Sequence, residues 1–358
     1  MSQTKKIIIL TGGGTAGHVT LNINLEHELK KHFDKIFYIG SKDGIEKELI
    51  SKQTNYEYKS ISTVKFDRGK LLKNFAIPFK LNKAINEAKK LLKEINPDVV
   101  FSKGGYVGLP VVIASKKLNI PCICHESDIS MGLANKIAKN YATKICTTFK
   151  ETAKKHGKKC IYTSMPLKLS HLSKEQAKQN LGINTKLPVL LICGGSLGAK
   201  AINSFIFENI NTLTKDYFVL HLVGKNNLNK NISHENYKQI EFSNDMWTIF
   251  KATDYAVSRA GANTIIELLA NEILTIFIPL PKCASRGDQI DNAKYLENKG
   301  LSKTILQENL SIENLQKVLK NIKNDQKNIF SAIKNEEIID GTQKIIDIIL
   351  SSTKKDKV

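Results

Sequence analysis

Two successive series of short apolar runs, each spaced by helix-length segments, constrain the fold of this chain more than any other feature. In the first half "KKIIIL", "KIFYIG", "DVVFS", "IPCICHE" and "TKICTTF" read as strands. Between them, Leu21 to His32, "FKLNKAINEAKKLLKEI", "LPVVIASKKL" and Leu133 to Asn140 carry helical patterns. Strands written as continuous apolar runs are buried on both faces, the mark of a parallel sheet covered by helices. The pattern breaks around "CIYTSMPLKLS", with a linker expected near residues 161–166, and then restarts. "LPVLLICGG", "FVLHLVG", "QIEFS", "DYAVSRAG" and "ILTIFIPL" read as strands, with helices from Ala199 to Asn211, from Asp245 and from Ala262 to Ala270. The tail from Ser311 reads as helical and polar. The expectation is an α/β chain of two successive doubly wound units. A length of 358 residues, long for one core, agrees.

Composition narrows the class. Apolar residues at 41% and charged residues at 25% describe a globular chain, and no apolar run approaches the ~20 residues that span a bilayer. The start, "MSQTKKIIILTGGG", lacks an export-length apolar region and a small-residue cleavage site, so it reads as a first core strand of a cytoplasmic protein. The six cysteines form no Cys-x-x-Cys pair, and most sit inside apolar runs, which reads as buried reduced thiols rather than metal or disulfide roles. The net charge of +20 is unevenly placed, with 29 basic against 14 acidic residues in positions 1–160. That asymmetry suits an anionic partner: nucleic acid, a membrane surface or a phosphorylated substrate.

Every unusual stretch falls at the carboxyl end of a strand, where ligands sit in open α/β sheets. These are "TGGGTAGHV", "SKGGYVGLP", "CHESDISMG", "CGGSLGA", "SRAGANTIIE" and "SRGDQIDN". In the fifth, Gly261 turns the chain into a helix whose first amides, at Ala262 to Thr264, make an anion site suited to a diphosphate. Glu267, one turn on, could accept hydrogen bonds from a ribose diol, or simply be an acid early in a helix. A dinucleotide fingerprint fits poorly, since "KIFYIGSKDG" places no acid at the end of the second strand. No Walker lysine motif and no Asp-x-Asp occur, which points to a metal-free site in which helix ends and cations meet the charge of the leaving group.

Taken together, "GGGTAGHV", "GGYVGLP", "HESD" followed by "GLANKIA", "GGSLGA", "EFSNDM", "SRAGANTIIELLA" and "RGDQIDNA" resemble the MurG family, in order and spacing over essentially the whole chain. Its members are N-acetylglucosamine transferases that convert lipid I to lipid II in cell-wall synthesis. The resemblance implies a GT-B arrangement, two Rossmann-like domains facing across a cleft. It implies an acceptor domain over residues 1–163, a UDP-N-acetylglucosamine domain over 164–340, and a final helix over 341–358 returning to the first domain. Thr15, Ala16 and Gly17 would contact the donor sugar, with His18 near the acceptor hydroxyl and Asp128 at a donor-contacting place. Ser196 would bind the diphosphate, Ser243 the uracil, Ala262, Asn263, Thr264 and Glu267 the phosphates and ribose, and Gln289 the sugar hydroxyls. Gly104, Gly105, Tyr106, His125, Glu126 and Asn135 would shape the acceptor pocket. His18 and Asp128 are the candidate bases, although His18 could only hydrogen-bond and His125 could be structural.

Two departures stand out. Lys168 replaces a usual arginine after the interdomain proline, and lysine lacks the planar fork. Ala16 replaces a usual glycine, which is tolerable only at negative φ. The resemblance implies no cofactor and no metal. Its expected partners are UDP-N-acetylglucosamine, lipid I, an anionic membrane surface and proteins of cell-wall synthesis or division, at the cytoplasmic face of the membrane. Between Val64 and Lys93, Phe66, Leu71, Leu72, Phe75, Ile77 and Phe79 mix with lysines as a peripheral membrane contact would require, while Ala84 to Leu92 read as core. An epimerase acting on the same nucleotide sugar is the enzymatic alternative. A nucleic-acid binder is the other, but aromatics at 7% supply no stacking platform.

Overall fold

The computed structural model describes residues 5–63, 77–168, 170–195 and 197–353. The chain divides into two compact units, one comprising residues up to Leu167 and from Asp340 onward, the other running from Lys168 to Ile339.

The first unit is built in the order β1 (Ile7–Thr11), α1 (Gly17–Asn24), α2 (Glu26–Leu29), β2 (Lys35–Ser41), α3 (Ile45–Gln53), β3 (Glu57–Ile61), α4 (Ile77–Ile95) and β4 (Val99–Ser102). It continues through α5 (Gly105–Lys117), β5 (Cys122–Glu126), α6 (Leu133–Ala138), β6 (Lys144–Thr147), α7 (Lys150–His156) and β7 (Cys160–Tyr162). The seven strands run parallel in the order β3-β2-β1-β4-β5-β6-β7. Order reverses between β1 and β4, so the loops after these two strands emerge side by side, and a ligand site belongs there. The core strands are sealed: Ile8, Ile9, Leu10 and all of β4 are buried.

The second unit holds α8 (Lys174–Asn180), β8 (Val189–Cys193), α9 (Lys200–Leu213), β9 (Phe218–Leu222), β10 (Tyr237–Ile240), α10 (Met246–Ala252) and β11 (Tyr255–Ser258). After these come α11 (Ala262–Ala270), β12 (Leu274–Phe277), α12 (Asp288–Asn298), β13 (Lys303–Thr304), α13 (Ile312–Asn324) and α14 (Gln326–Glu336). Its parallel sheet has the order β10-β9-β8-β11-β12-β13, reversing between β8 and β11. The chain then rejoins the first unit, where α15 (Thr342–Leu350) packs against α2. The return is pinned by two hydrogen bonds: Gly341 N donates to Met165 O at 2.9 Å, and Leu167 N donates to the Asp340 carboxylate at Oδ1 at 2.9 Å.

Several sequence expectations need correction. The helix expected from Leu21 to His32 starts at Gly17 and breaks into α1 and α2 at Leu25. The helix expected at "LPVVIASKKL" begins earlier, at Gly105, and carries Pro110 in its first two turns. Around "CIYTSMPLKLS", where the pattern was expected to break, Cys160–Tyr162 adds a seventh strand to the first sheet. The segment before α4 supplies both α3 and β3, which the apolar pattern did not announce.

Candidate active site

In the first unit three loops converge at the carboxyl ends of β1, β4 and β5. The first, Gly12–Gly17, is anchored from below. Tyr38 donates its hydroxyl to Gly12 O at 2.7 Å, and Thr11 Oγ1 donates to Ile39 O at 2.8 Å. Glu46, near the start of α3, reaches back to accept from Gly14 N at 3.2 Å, from Ser41 N at 3.0 Å and from the Ser41 hydroxyl. Burial opposes its charge, but those donors outweigh it and hold the carboxyl below the usual glutamate range. Gly14 has φ +87 and lies against the Tyr106 ring, which a Cβ there would meet at 2.5 Å. Ala16 has φ −57, so its methyl carries no backbone penalty. Thr15 and Gly17 are exposed.

His18 opens α1. Its Nδ1 lies 3.1 Å from Gly13 O and 3.0 Å from Thr15 Oγ1. A ring protonated on Nδ1 donates to the Gly13 carbonyl, and a ring protonated on Nε2 accepts from the Thr15 hydroxyl, so either neutral form is held in this place. The second loop follows β4. Lys103 N donates to Thr11 O at 2.9 Å, tying the first two loops, and Gly104 N donates to Ser102 Oγ at 3.2 Å. Tyr106 and Gly105 then press on the first loop.

The third loop follows β5. His125 and Glu126 are buried. His125 Nε2 donates to Ser164 O at 3.2 Å, while Nδ1 is buried without a partner among the described residues. Burial, reinforced by the Lys103 cation, keeps this imidazole neutral by holding its pKa well below the usual range. Glu126 accepts from Asp128 N at 3.0 Å, Gly132 N at 2.9 Å and Asn135 Nδ2 at 2.9 Å. Asn135 Nδ2 also donates to His125 O at 3.0 Å, and its buried Oδ1 has no partner among the described residues. Thus His18, Gly104, Gly105, Tyr106, His125, Glu126, Asp128 and Asn135 belong to one connected set, with His125 and Glu126 as its buried floor.

In the second unit the expected donor residues lie in the loops and helix starts that follow β8, β10, β11 and β12. Ser196 lies outside the described residues. Around it, Gly198 has φ +76 and faces Val223 O, which a Cβ would meet at 2.0 Å. Val223 is held from beneath: Asn203 Nδ2 donates to its carbonyl at 2.8 Å, and His221 Nε2 lies 3.1 Å from Asn203 Oδ1. Burial lowers the His221 pKa to about 3, so it stays neutral. Ala262, Asn263 and Thr264 form the first turn of α11, whose N-cap Gly261 offers no side-chain cap. The first amides of a helix have no intrahelical acceptor, so this end favours an anion. Glu267 sits one turn in, and burial pushes its carboxyl up to about 7.

Arg259 fixes the approach to that helix. Its Nη1 donates to Ile278 O at 3.0 Å and Pro279 O at 3.2 Å, and Nη2 donates to Gln307 Oε1 at 2.6 Å. Gln289 Oε1 accepts from Leu280 N at 3.0 Å, holding the loop before α12. Ser243 Oγ accepts from Asp245 N at 3.0 Å, and Asp245 caps α10 through Thr248 N at 3.1 Å. Lys168 is exposed at the beginning of the unit. Glu46, Lys103 and Arg259 were not singled out from sequence, because each acts on residues distant in the chain.

Residues 8–147 match the Glycosyltransferase family 28 N-terminal domain, and residues 189–348 match the Glycosyltransferase family 28 C-terminal domain. The chain is 44% identical over 353 residues to the UDP-N-acetylglucosamine--N-acetylmuramyl-(pentapeptide) pyrophosphoryl-undecaprenol N-acetylglucosamine transferase of Clostridium botulinum (strain Alaska E43 / Type E3), covering 97% of this chain and 98% of that one. The chain belongs to this transferase family, the MurG family. The transferase of the same name from Clostridium tetani is 45% identical, covering 96% of this chain and 98% of that one. Among solved structures, Acinetobacter baumannii MurG superposes with a TM-score of 0.78 at 25% identity, covering 97% of this chain and 99% of that one. The UDP-GlcNAc 2-epimerase from Neisseria meningitidis reaches 0.67 at 13% identity, covering 97% and 100%, a likeness of fold alone. As a member of the MurG family this chain is an N-acetylglucosamine transferase of GT-B fold.

Proposed function

We propose that the first unit holds lipid I and the second holds UDP-N-acetylglucosamine, and that transfer proceeds with inversion at the donor C1. The oxygen of the muramyl C4 hydroxyl forms the new bond to C1. The bond from C1 to the diphosphate breaks, its electron pair leaves with UDP, and the hydroxyl proton passes to a base. His18 is assigned as that base. The observation that carries the assignment is the place of its ring where the two glycine loops meet, with Nδ1 3.1 Å from Gly13 O and 3.2 Å from where a Cβ on Gly105 would stand. Asp128 is assigned as the carboxylate that contacts the reacting sugar.

In the second unit, the α11 amino end and the loop through Gly198 meet the charge that develops on UDP, with Glu267 accepting from the ribose. Replacing His18 with glutamine tests the base. The variant is expected to keep its KM for UDP-N-acetylglucosamine while kcat falls by about a hundredfold or more. A kcat within about threefold of wild type removes His18 from that role.

The acceptor's lipid suggests docking on a membrane. Among the described residues no helix is long and apolar enough to cross one. Phe79, in the first turn of α4, is 81% exposed beside Lys80 and Lys83, whereas Ala84, Ile85, Ala88 and Leu92 are buried. Phe66, Leu71, Leu72 and Phe75 lie outside the described residues. An exposed aromatic among cations is the chemistry of a peripheral contact with anionic lipid. Phe79→Ser is expected to reduce co-sedimentation with anionic vesicles, and undiminished binding would count against this face.

A further inference from the structure

Lys103 stands between β4 and α5 with only 2% of its surface exposed. A buried ammonium is costly, and an apolar residue of similar length at the same joint would be cheaper unless the charge has a task. Three elements meet on this one residue. Its backbone N–H holds the end of β1 through Thr11 O at 2.9 Å. Its Cβ lies 3.0 Å from where a Cβ on Gly12 would stand, so it also supports the first glycine loop. Its Nζ donates to Ser127 Oγ, in the turn after β5 that carries Asp128.

The surrounding charges explain why a cation is kept. Burial lowers the Lys103 pKa, while the carboxylates of Glu126 and Asp128 act in the opposite direction, and His125 beside it is neutral. Glu126 is already satisfied by three neutral donors, the Asp128 and Gly132 amides and Asn135 Nδ2. The ammonium is therefore not needed to complete Glu126. Among the described residues, the side chain to which it donates is that of Ser127, next to Asp128.

We propose that Lys103 is a positioning residue for the transfer reaction, clamping the Ser127–Asp128 turn to the ends of β1 and β4 so that the Asp128 carboxylate stands at a fixed place relative to the His18 loop. The ammonium offsets the two carboxylates that the turn brings together and transmits any shift of the first loop to Asp128. This rests on the assignment of Asp128 to the reaction made above.

The test is a double-mutant cycle on the full chain, with Lys103→Met, Asp128→Asn and both together, reading kcat, KM for each substrate and the melting temperature. K103M is expected to lower kcat about tenfold with both KM values within about threefold. In the D128N background the same change is expected to cost less than about twofold more, because the residue it positions is already lost. An impaired D128N enzyme in which K103M still costs its full factor overturns the role of Lys103 alone. A D128N enzyme of wild-type kcat overturns the assignment of Asp128 and this proposal with it. Should K103M fold too poorly to assay, Ser127→Ala carries the same cycle, since it removes the ammonium's partner and leaves the charge. Its kcat loss is expected to vanish in the D128N background, and a loss that persists there overturns the proposal.

Discussion

Gly105 lies so close to Gly13 that a methyl group on it would stand 2.6 Å from the Gly13 carbonyl oxygen and 3.2 Å from His18 Nδ1. The two glycine loops of the first unit are thus in direct contact, and the imidazole is held where they meet. Gly105 also has φ +77, which an L side chain adopts only with strain. Gly105→Ala is therefore expected to cost at least about 1 kcal/mol of stability. The displaced Gly13 carbonyl also orients His18, so kcat should fall by about tenfold or more. Melting curves and steady-state kinetics on the same preparation check both effects.

Glu46 gives a second prediction. Glutamine at this position keeps the shape but turns an NH2 group toward amides that are themselves donors. At neutral pH Glu46→Gln should lower stability by about 2 kcal/mol, as the loss of charge-assisted hydrogen bonds costs. Because folding depresses this carboxyl below the ordinary value of 4.5, its contribution is complete above that pH and fades as pH falls through the depressed value. The gap between wild type and variant should close in acid. Denaturant melts at pH 7 and pH 3.5 measure it, and a gap that stays constant contradicts the anchoring role.

Glu267 behaves in the opposite sense. Its carboxyl is pushed from 4.5 up to about 7, so the folded chain holds a proton that the unfolded chain releases. Stability from this group falls as pH rises from the ordinary value to about 7 and is level beyond it. Glu267→Gln should match wild type near pH 5 and exceed it in stability above pH 7. An ionised carboxylate is also the better acceptor for ribose hydroxyls, so the affinity of wild type for UDP, relative to the variant, should rise through the same window. Calorimetric titration of both proteins across pH 5.5 to 8.5 reads it, and parallel curves would detach Glu267 from the nucleotide.

The legible part of this fold was the part buried on both faces. β1, β4, β5, β8, β11 and β12 are apolar runs because helices cover both sides of them. The strands at or near the sheet edges were harder. β3 reads "EYKSI" and only Ile61 is buried, while β13 is the two residues Lys303–Thr304, so neither carries an apolar run. Among site residues, the glycine loops declared themselves because glycine is costly where nothing requires it. Their supports did not. Glu46 lies 32 residues from Gly14, Lys103 lies 24 from Ser127, and Arg259 lies 48 from Gln307. A charged residue that works across such separations looks in sequence like any solvated one, and only the fold brings it to its partner.

Moving N-acetylglucosamine from its nucleotide to a lipid-linked muramyl acceptor is the activity of this chain's family. The direct measurement is UDP release together with product analysis, using purified enzyme and UDP-N-acetylglucosamine with and without lipid I. UDP release is expected only with acceptor present, matched mole for mole by a β-1,4-linked disaccharide on the lipid. Equal UDP release without acceptor, or a rearranged sugar in place of a disaccharide, would contradict it.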